Sequence, residues 1–212
     1  MTILFDLDGT LIDSTEAILE SFHHSFDVHG HPHPEDEAIE ALIGHPLDVM
    51  YIELGVDESE AWDFVATYKA HYQVISTQKT ILLPYAKEAV EAASKFARLG
   101  IVTTKTGKYS RVLMEHFELM DYFEVLIGRE DVENPKPHAE PIEKALQAMA
   151  VTKEESWIIG DTRLDLGSAN NAGIKSVGVL SGYDSEKELR ALTDMVEDDA
   201  LQAVKEIAKL MD

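Results

Sequence analysis

The sequence predicts an α/β protein: a parallel sheet core with helices on both faces, Rossmann-like in plan, plus an inserted all-helical domain. Three observations predict it. A short apolar strand at the N-terminus runs directly into Asp6-Leu-Asp8-Gly9-Thr10. Residues 15–80 then carry helical spacing with no strand-like alternation. From Leu83 onward, short apolar runs alternate with helical segments, the pattern of right-handed crossovers between parallel strands. The expected division is a core of residues 1–14 and 81–212 with a helical domain of residues 15–80.

Within the insertion, Ala17, Ile18, Ser21, Phe22, Ser25 and Phe26 fall on one helical face, and similar spacing recurs from Ile39 to Leu54 and from Ala61 to Val74. His29-Gly-His-Pro-His-Pro34 reads as a loop, since its prolines favour extended backbone. Were it extended, His29, His31 and His33 would share one side and could hold a transition metal; a solvated loop is the simpler reading. The second half reads as a helix from Ala86 to Leu99, a strand Gly100–Thr103 and a helix from near Gly107 to about Phe117. A strand Phe123–Ile127 and a helix from about Ala139 to Met149 follow. The strand Trp157–Ile159, a helix from about Leu166, the strand Ser176–Val179 and a C-terminal helix complete the chain.

Composition bounds the function. The 212 residues hold 40 acidic and 18 basic side chains, a net charge of −22 at pH 7, which disfavours nucleic acid and anionic membranes as partners. No apolar run approaches a membrane span and no leader-like segment is evident, so a cytoplasmic protein, monomer or homodimer, is expected. Zero cysteines exclude disulfides and thiol chemistry. The imbalance peaks between residues 15 and 80, which hold 13 acidic residues, Lys69, Lys79 and no arginine. An anionic substrate must therefore be captured by local positive groups.

Ligands of parallel sheets bind at the carboxyl ends of the strands. Asp6 and Asp8, at i and i+2, would converge there, a costly arrangement unless a cation such as Mg2+ lies between them. Gly9 allows a tight turn beside a bound anion. Thr103 and Thr104 end a second strand, before a helix whose N-terminal amides near Gly107 would favour a phosphate. Lys136 stands between Pro135 and Pro137, which restrict its backbone on both sides. Gly160-Asp161-Thr-Arg-Leu-Asp165 delivers one carboxylate at a strand end and a second one helical turn later. A turn at Asp8-Gly9, or helix capping by Asp161, would account for each piece alone; capping four strand ends at once is a poor account of the set.

Taken together, the motifs DLDGTL, Thr103, Lys136 and GDTRLD resemble those of the haloacid dehalogenase superfamily of phosphohydrolases, in the right order and across the whole chain. Residues 15–80 are similar to that family's helical cap, and Gly44-His45-Pro46-Leu47 resembles the cap loop of phosphoglycolate phosphatases and related pyrophosphatases, with His45 a specificity residue. The resemblance implies a Mg2+-dependent phosphatase for a small phosphorylated metabolite. Asp6 would be the nucleophile, forming an aspartyl-phosphate, and Asp8 the general acid and base. Asp6, Asp161 and the Asp8 carbonyl would hold the metal, with Asp165 behind them. Thr103, Thr104, Lys136 and Gly9 would bind the phosphoryl group. Phosphoglycolate or pyrophosphate carries a second anionic group, which would rely on His45, backbone amides, or Lys105, Lys108 and Arg111. The alternatives are a β-phosphoglucomutase-like phosphosugar mutase, disfavoured by Thr10, a pyrophosphatase, and a phospho-accepting or binding module without turnover.

Overall fold

The computed structural model describes residues 1–210, and the chain divides into two compact units, one of Met1–Asp13 with Leu82–Asp212 and one of Ser14–Ile81. The first contains a six-stranded parallel sheet. Its strands are β1 (Thr2–Phe5), β4 (Arg98–Val102), β5 (Phe123–Ile127), β6 (Ser156–Gly160), β7 (Lys175–Val179) and β8 (Val196–Glu197), in the order β5-β4-β1-β6-β7-β8. The short strands β2 (Ile12–Asp13) and β3 (Ile81–Leu82) lie where the chain leaves and re-enters this unit. β1 is central, with Leu4 paired to Gly100 on one side and to Ile158 on the other. A strand buried on both faces must be apolar throughout, which is why Thr2–Phe5 shows no polar alternation.

Successive β1 side chains serve opposite faces. Ile3 and Phe5 join a cluster with Val90 of α5 (Ala86–Ala93), Leu113 of α6 (Gly107–His116) and Val204 of α10 (Ala200–Lys209). Leu4 packs with Ile142 and Leu146 of α7 (Glu140–Met149) and Ala169 of α8 (Arg163–Ala172). Each helix offers an apolar stripe at the required spacing; in α10 it is Ala200, Ala203, Val204 and Ile207. From β1 the chain fills one side of the sheet, β4 then β5, and returns to the other for β6, β7 and β8. The connections leaving β1 and β6 therefore diverge, and a switch point of this kind opens a crevice at the strands' carboxyl ends.

The unit of residues 14–81 comprises α1 (Thr15–His29), α2 (Asp36–Glu40), α3 (Leu47–Glu53) and α4 (Ala61–Lys79). Its centre is aromatic: the Phe22 and Tyr51 rings lie 4.6 Å apart and those of Phe26 and Phe64 5.2 Å. Ser25 Oγ and Tyr51 OH share a buried hydrogen bond of 2.6 Å.

Several elements differ from the sequence reading. The single helix expected over Ile39–Leu54 is two, because the turn between them holds Gly44 at φ 105°, a left-handed conformation no helix accommodates. The helix expected to reach Leu99 ends at Ala93, where Phe96 and Ala97 both return their N–H groups to the Ala93 carbonyl, freeing Arg98 to pair with Thr2. The short α9 (Glu186–Arg190) and β8 carry too few residues for periodicity to reveal. The histidine loop does not align its side chains. His29 stacks on Phe64 at 4.2 Å and His31 meets the same ring edge-on, whereas His33 stacks on His23 and bonds Asp27.

Candidate active site

Four strand ends of the sheet-containing unit deliver the chemistry. Asp6 follows β1, is 4% exposed, and lies beside Lys136, whose Nζ is 3.0 Å from Asp6 Oδ1. Lys136 itself is fully engaged: Nζ donates to Asp165 Oδ1 at 2.5 Å and to the Val102 carbonyl at 3.1 Å. Burial works to lower the Lys136 pKa, but the charges and hydrogen bonds of Asp165 and Asp6 outweigh it and hold the ammonium above lysine's ordinary value. The balance is opposite at Asp6. Burial first, then the Asp165 and Asp8 charges, push its pKa up to about 7 against the pull of Lys136 and the Leu7 amide.

Asp161 ends β6 fully buried. It accepts hydrogen bonds from Thr10 Oγ1 at 2.9 Å and from the Tyr183 N–H at 3.0 Å. Burial, with Asp165 and Asp6 nearby, raises its pKa well above a carboxylate's usual range despite both donors. Helix α8 is capped by Thr162 and Asp165 instead of Asp161: the Thr162 N–H and Oγ1 donate to Asp165 Oδ2 at 3.1 and 2.6 Å. Asp165 thus caps a helix with one oxygen and holds Lys136 with the other.

Asp8 turns its carboxylate to Lys105, whose Nζ donates to Asp8 Oδ2 at 2.7 Å. Gly9, at φ 80°, is required twice over, because a Cβ there would stand 2.2 Å from Asp161 Oδ2. Gly9→Ala is expected to displace Asp161 and cut turnover at least ~100-fold, since a shift of about 1 Å at a reacting centre costs that much; steady-state kinetics on the folded variant check it. Thr103, 5% exposed, accepts the Lys105 N–H at 3.2 Å, and Thr104 follows it half-buried. The phosphate cradle expected at the start of α6 is not open. The Gly107 and Lys108 N–H groups donate to the Glu130 carboxylate at 2.8 and 3.3 Å, so the helix end is already capped by an anion of the chain.

Sequence reasoning missed the loop after β7. There Ser181 Oγ donates to the Gly9 carbonyl at 2.8 Å, Gly182 leaves no room for a Cβ beside Asp161, and Tyr183 supplies its amide. Its position at another strand's carboxyl end was the available signal. His45 lies in the helical unit, its N–H bonded to Leu42 O in the turn before α3.

Among the described residues, the grouping able to hold a metal is Asp6, Asp161 and Asp165, with ligand atoms within 4.8 Å of one another and all three buried. Four carboxylates, Asp6, Asp8, Asp161 and Asp165, face two ammonium groups, Lys105 and Lys136. With all four carboxylates ionised, two negative charges would be left over, which suits a divalent cation whose arrival displaces the protons that burial favours on Asp6 and Asp161, and an all-oxygen donor set suits a hard one.

The family profile for haloacid dehalogenase-like hydrolases matches residues 3–179, spanning every one of these strand ends up to β7. The chain belongs to that family. It is an enzyme, a phosphatase of the haloacid dehalogenase-like class. The pyrophosphatase PpaX of Halalkalibacterium halodurans is 34% identical over 210 residues, covering 92% of this chain and 95% of the relative. The crystal structure of a haloacid dehalogenase-like hydrolase from Bacteroides fragilis is 29% identical, with a TM-score of 0.91 over 95% of this chain and 98% of that one. A predicted phosphoglycolate phosphatase from Haemophilus somnus is 24% identical, with a TM-score of 0.87 over 96% of each chain, a likeness of fold. No described helix is long and apolar enough to cross a membrane.

Proposed function

We propose that this phosphatase uses Mg2+ and Asp6 to hydrolyse a small phosphorylated molecule through an aspartyl-phosphate. One observation carries the reading: three buried carboxylates, Asp6, Asp161 and Asp165, gathered around the buried Lys136 at one sheet edge, with the part-buried Asp8–Lys105 pair beside them. Asp6 attacks phosphorus, splitting one displacement into two. Asp8 gives a proton to the leaving oxygen and later takes one from the attacking water. Lys136, Thr103 and Thr104 hold the phosphoryl oxygens as charge builds. Asp6, Asp161 and the Asp8 carbonyl would hold Mg2+, with Asp165 in support, and the ion so held would supply charge neutralisation between nucleophile and phosphate. Relatives named pyrophosphatase favour pyrophosphate as the substrate, ahead of phosphoglycolate. The helical unit would act as the cap that excludes water.

The test is phosphate release from pyrophosphate, phosphoglycolate and sugar phosphates in EDTA and in millimolar Mg2+. Release is expected in Mg2+ alone, and saturating Mg2+ is expected to raise the melting temperature by about 5–10 °C, as binding at 100 times Kd stabilises by about 2.7 kcal/mol. Equal turnover in EDTA would remove the metal from the mechanism.

A further inference from the structure

We propose that Lys105 is the residue that reads the leaving group, selecting a substrate whose leaving group is itself an anionic phosphate, as in pyrophosphate. The inference rests on the reading above, in which Asp8 stands at the leaving oxygen. Lys105 Nζ lies 2.7 Å from Asp8 Oδ2, with the two side chains only 9% and 12% exposed. Its backbone is pinned on both sides, since the Lys105 N–H donates to Thr103 Oγ1 and its carbonyl accepts the Arg129 N–H at 3.0 Å. The side chain therefore starts from a fixed backbone, and its bond to Asp8 places the ammonium.

The buried Lys136 and the part-buried Lys105 divide the reaction between them. Lys136 is tied to Asp6, Asp165 and the Val102 carbonyl, on the side of the nucleophile and the transferred phosphoryl group. Lys105 accompanies Asp8, on the side of the group that departs. A neutral alcohol leaving there needs a proton and no second cation. A departing orthophosphate brings its own negative charges beside the Asp8 carboxylate, and a fixed ammonium offsets them. Several other positive groups are committed elsewhere. Glu130 closes the α6 N-terminus, the Arg129 guanidinium donates to the Val132 carbonyl, and Arg163 pairs with Asp184 and Glu188. The helical unit has no arginine, and its Lys79 is held by Glu16 and Glu20.

The step balances. Asp6 forms its bond to one phosphorus as the bridging P–O bond breaks, and the bridging oxygen leaves with the electron pair, takes the proton from Asp8 and departs as orthophosphate beside Lys105. Water then attacks the aspartyl-phosphate, its proton returns to Asp8, and Asp6 is restored with a second orthophosphate. One pyrophosphate and one water give two orthophosphates and no redox partner is needed.

The experiment compares kcat/KM for pyrophosphate and for p-nitrophenyl phosphate, whose leaving oxygen has similar basicity but lacks the phosphate charge, in the Mg2+-loaded enzyme. Lys105→Met is expected to lower the ratio of the two values about 100-fold, with Lys105→Arg restoring most of it. Lys105→Gln gives the same readout should the methionine variant not fold. An unchanged ratio, with both substrates losing equally, overturns the proposal and leaves Lys105 a support for Asp8. A wild-type enzyme that cleaves p-nitrophenyl phosphate and not pyrophosphate also overturns it while leaving the Asp6 mechanism standing. Retained turnover in Asp6→Asn would instead bring down the mechanism beneath it.

Discussion

Asp6→Asn is expected to lower Mg2+-dependent phosphate release by at least ~10⁴-fold, the scale of losing a covalent nucleophile, while raising the melting temperature of the metal-free protein. The two effects share one cause. Burial dominates the carboxylate's energetics and lifts its pKa to about 7, with Asp165 and Asp8 adding to the rise and Lys136 opposing it. A carboxyl whose folded pKa exceeds its unfolded value binds its proton more tightly in the native state. Its contribution is complete below the usual carboxylate range and is lost as pH rises through about 7. At pH 8 the ionised group is a net burden, and an isosteric amide removes it for a gain of about 1–3 kcal/mol. Melting in EDTA and in excess Mg2+ distinguishes the contributions. The variant should melt higher in EDTA, and the wild type should overtake it in Mg2+, because the metal ion binds the native carboxylates and stabilises by mass action. A variant that melts lower in EDTA would mean that the Lys136 attraction outweighs the burial cost.

Much of this site was legible because its signals are local. An apolar run ending in Asp6-Leu-Asp8 places both carboxylates at the end of β1 once the strand is assigned, and the same logic finds Thr103 and Asp161. Strands β1, β5, β6 and β7 were equally accessible as largely apolar runs, the pattern of a parallel sheet covered on both faces, whereas the short β8 and the start of β4 were not. What escaped was set by contacts distant in sequence. Lys105 meets Asp8 across 97 residues, Thr10 meets Asp161 across 151, and Ser181 meets the Gly9 carbonyl across 172. Glu130 reversed an expectation for the same reason: the α6 N-terminus reads as an open anion site only while the carboxylate 23 residues later is unseen. Spacing puts Asp165 one helical turn after Asp161, yet its second role as the cap of α8 depends on the Thr162 geometry.

Lys136→Met is expected to be the most destabilising single change in the site, costing about 3–5 kcal/mol in metal-free protein and lowering turnover at least ~100-fold. Among the described residues the Lys136 ammonium, 3% exposed, is the cation in contact with both Asp6 and Asp165, and removing it leaves those carboxylates buried with Asp161 and without its charge. Saturating Mg2+ should restore part of the stability, because it supplies positive charge to the same oxygens, and little of the activity, because the phosphoryl oxygens lose their lysine. The companion variant Lys136→Met/Asp165→Asn separates the two roles. It removes one ionised partner with the cation while the amide oxygen can still accept from Thr162, so the charge imbalance returns toward its wild-type value. The double variant should therefore recover a large share of the lost stability, a coupling of about 1–3 kcal/mol in a double-mutant cycle, and remain as inactive as the single one. Additive losses would place the lysine's structural role in its bond to the Val102 carbonyl and its packing, since neither depends on Asp165.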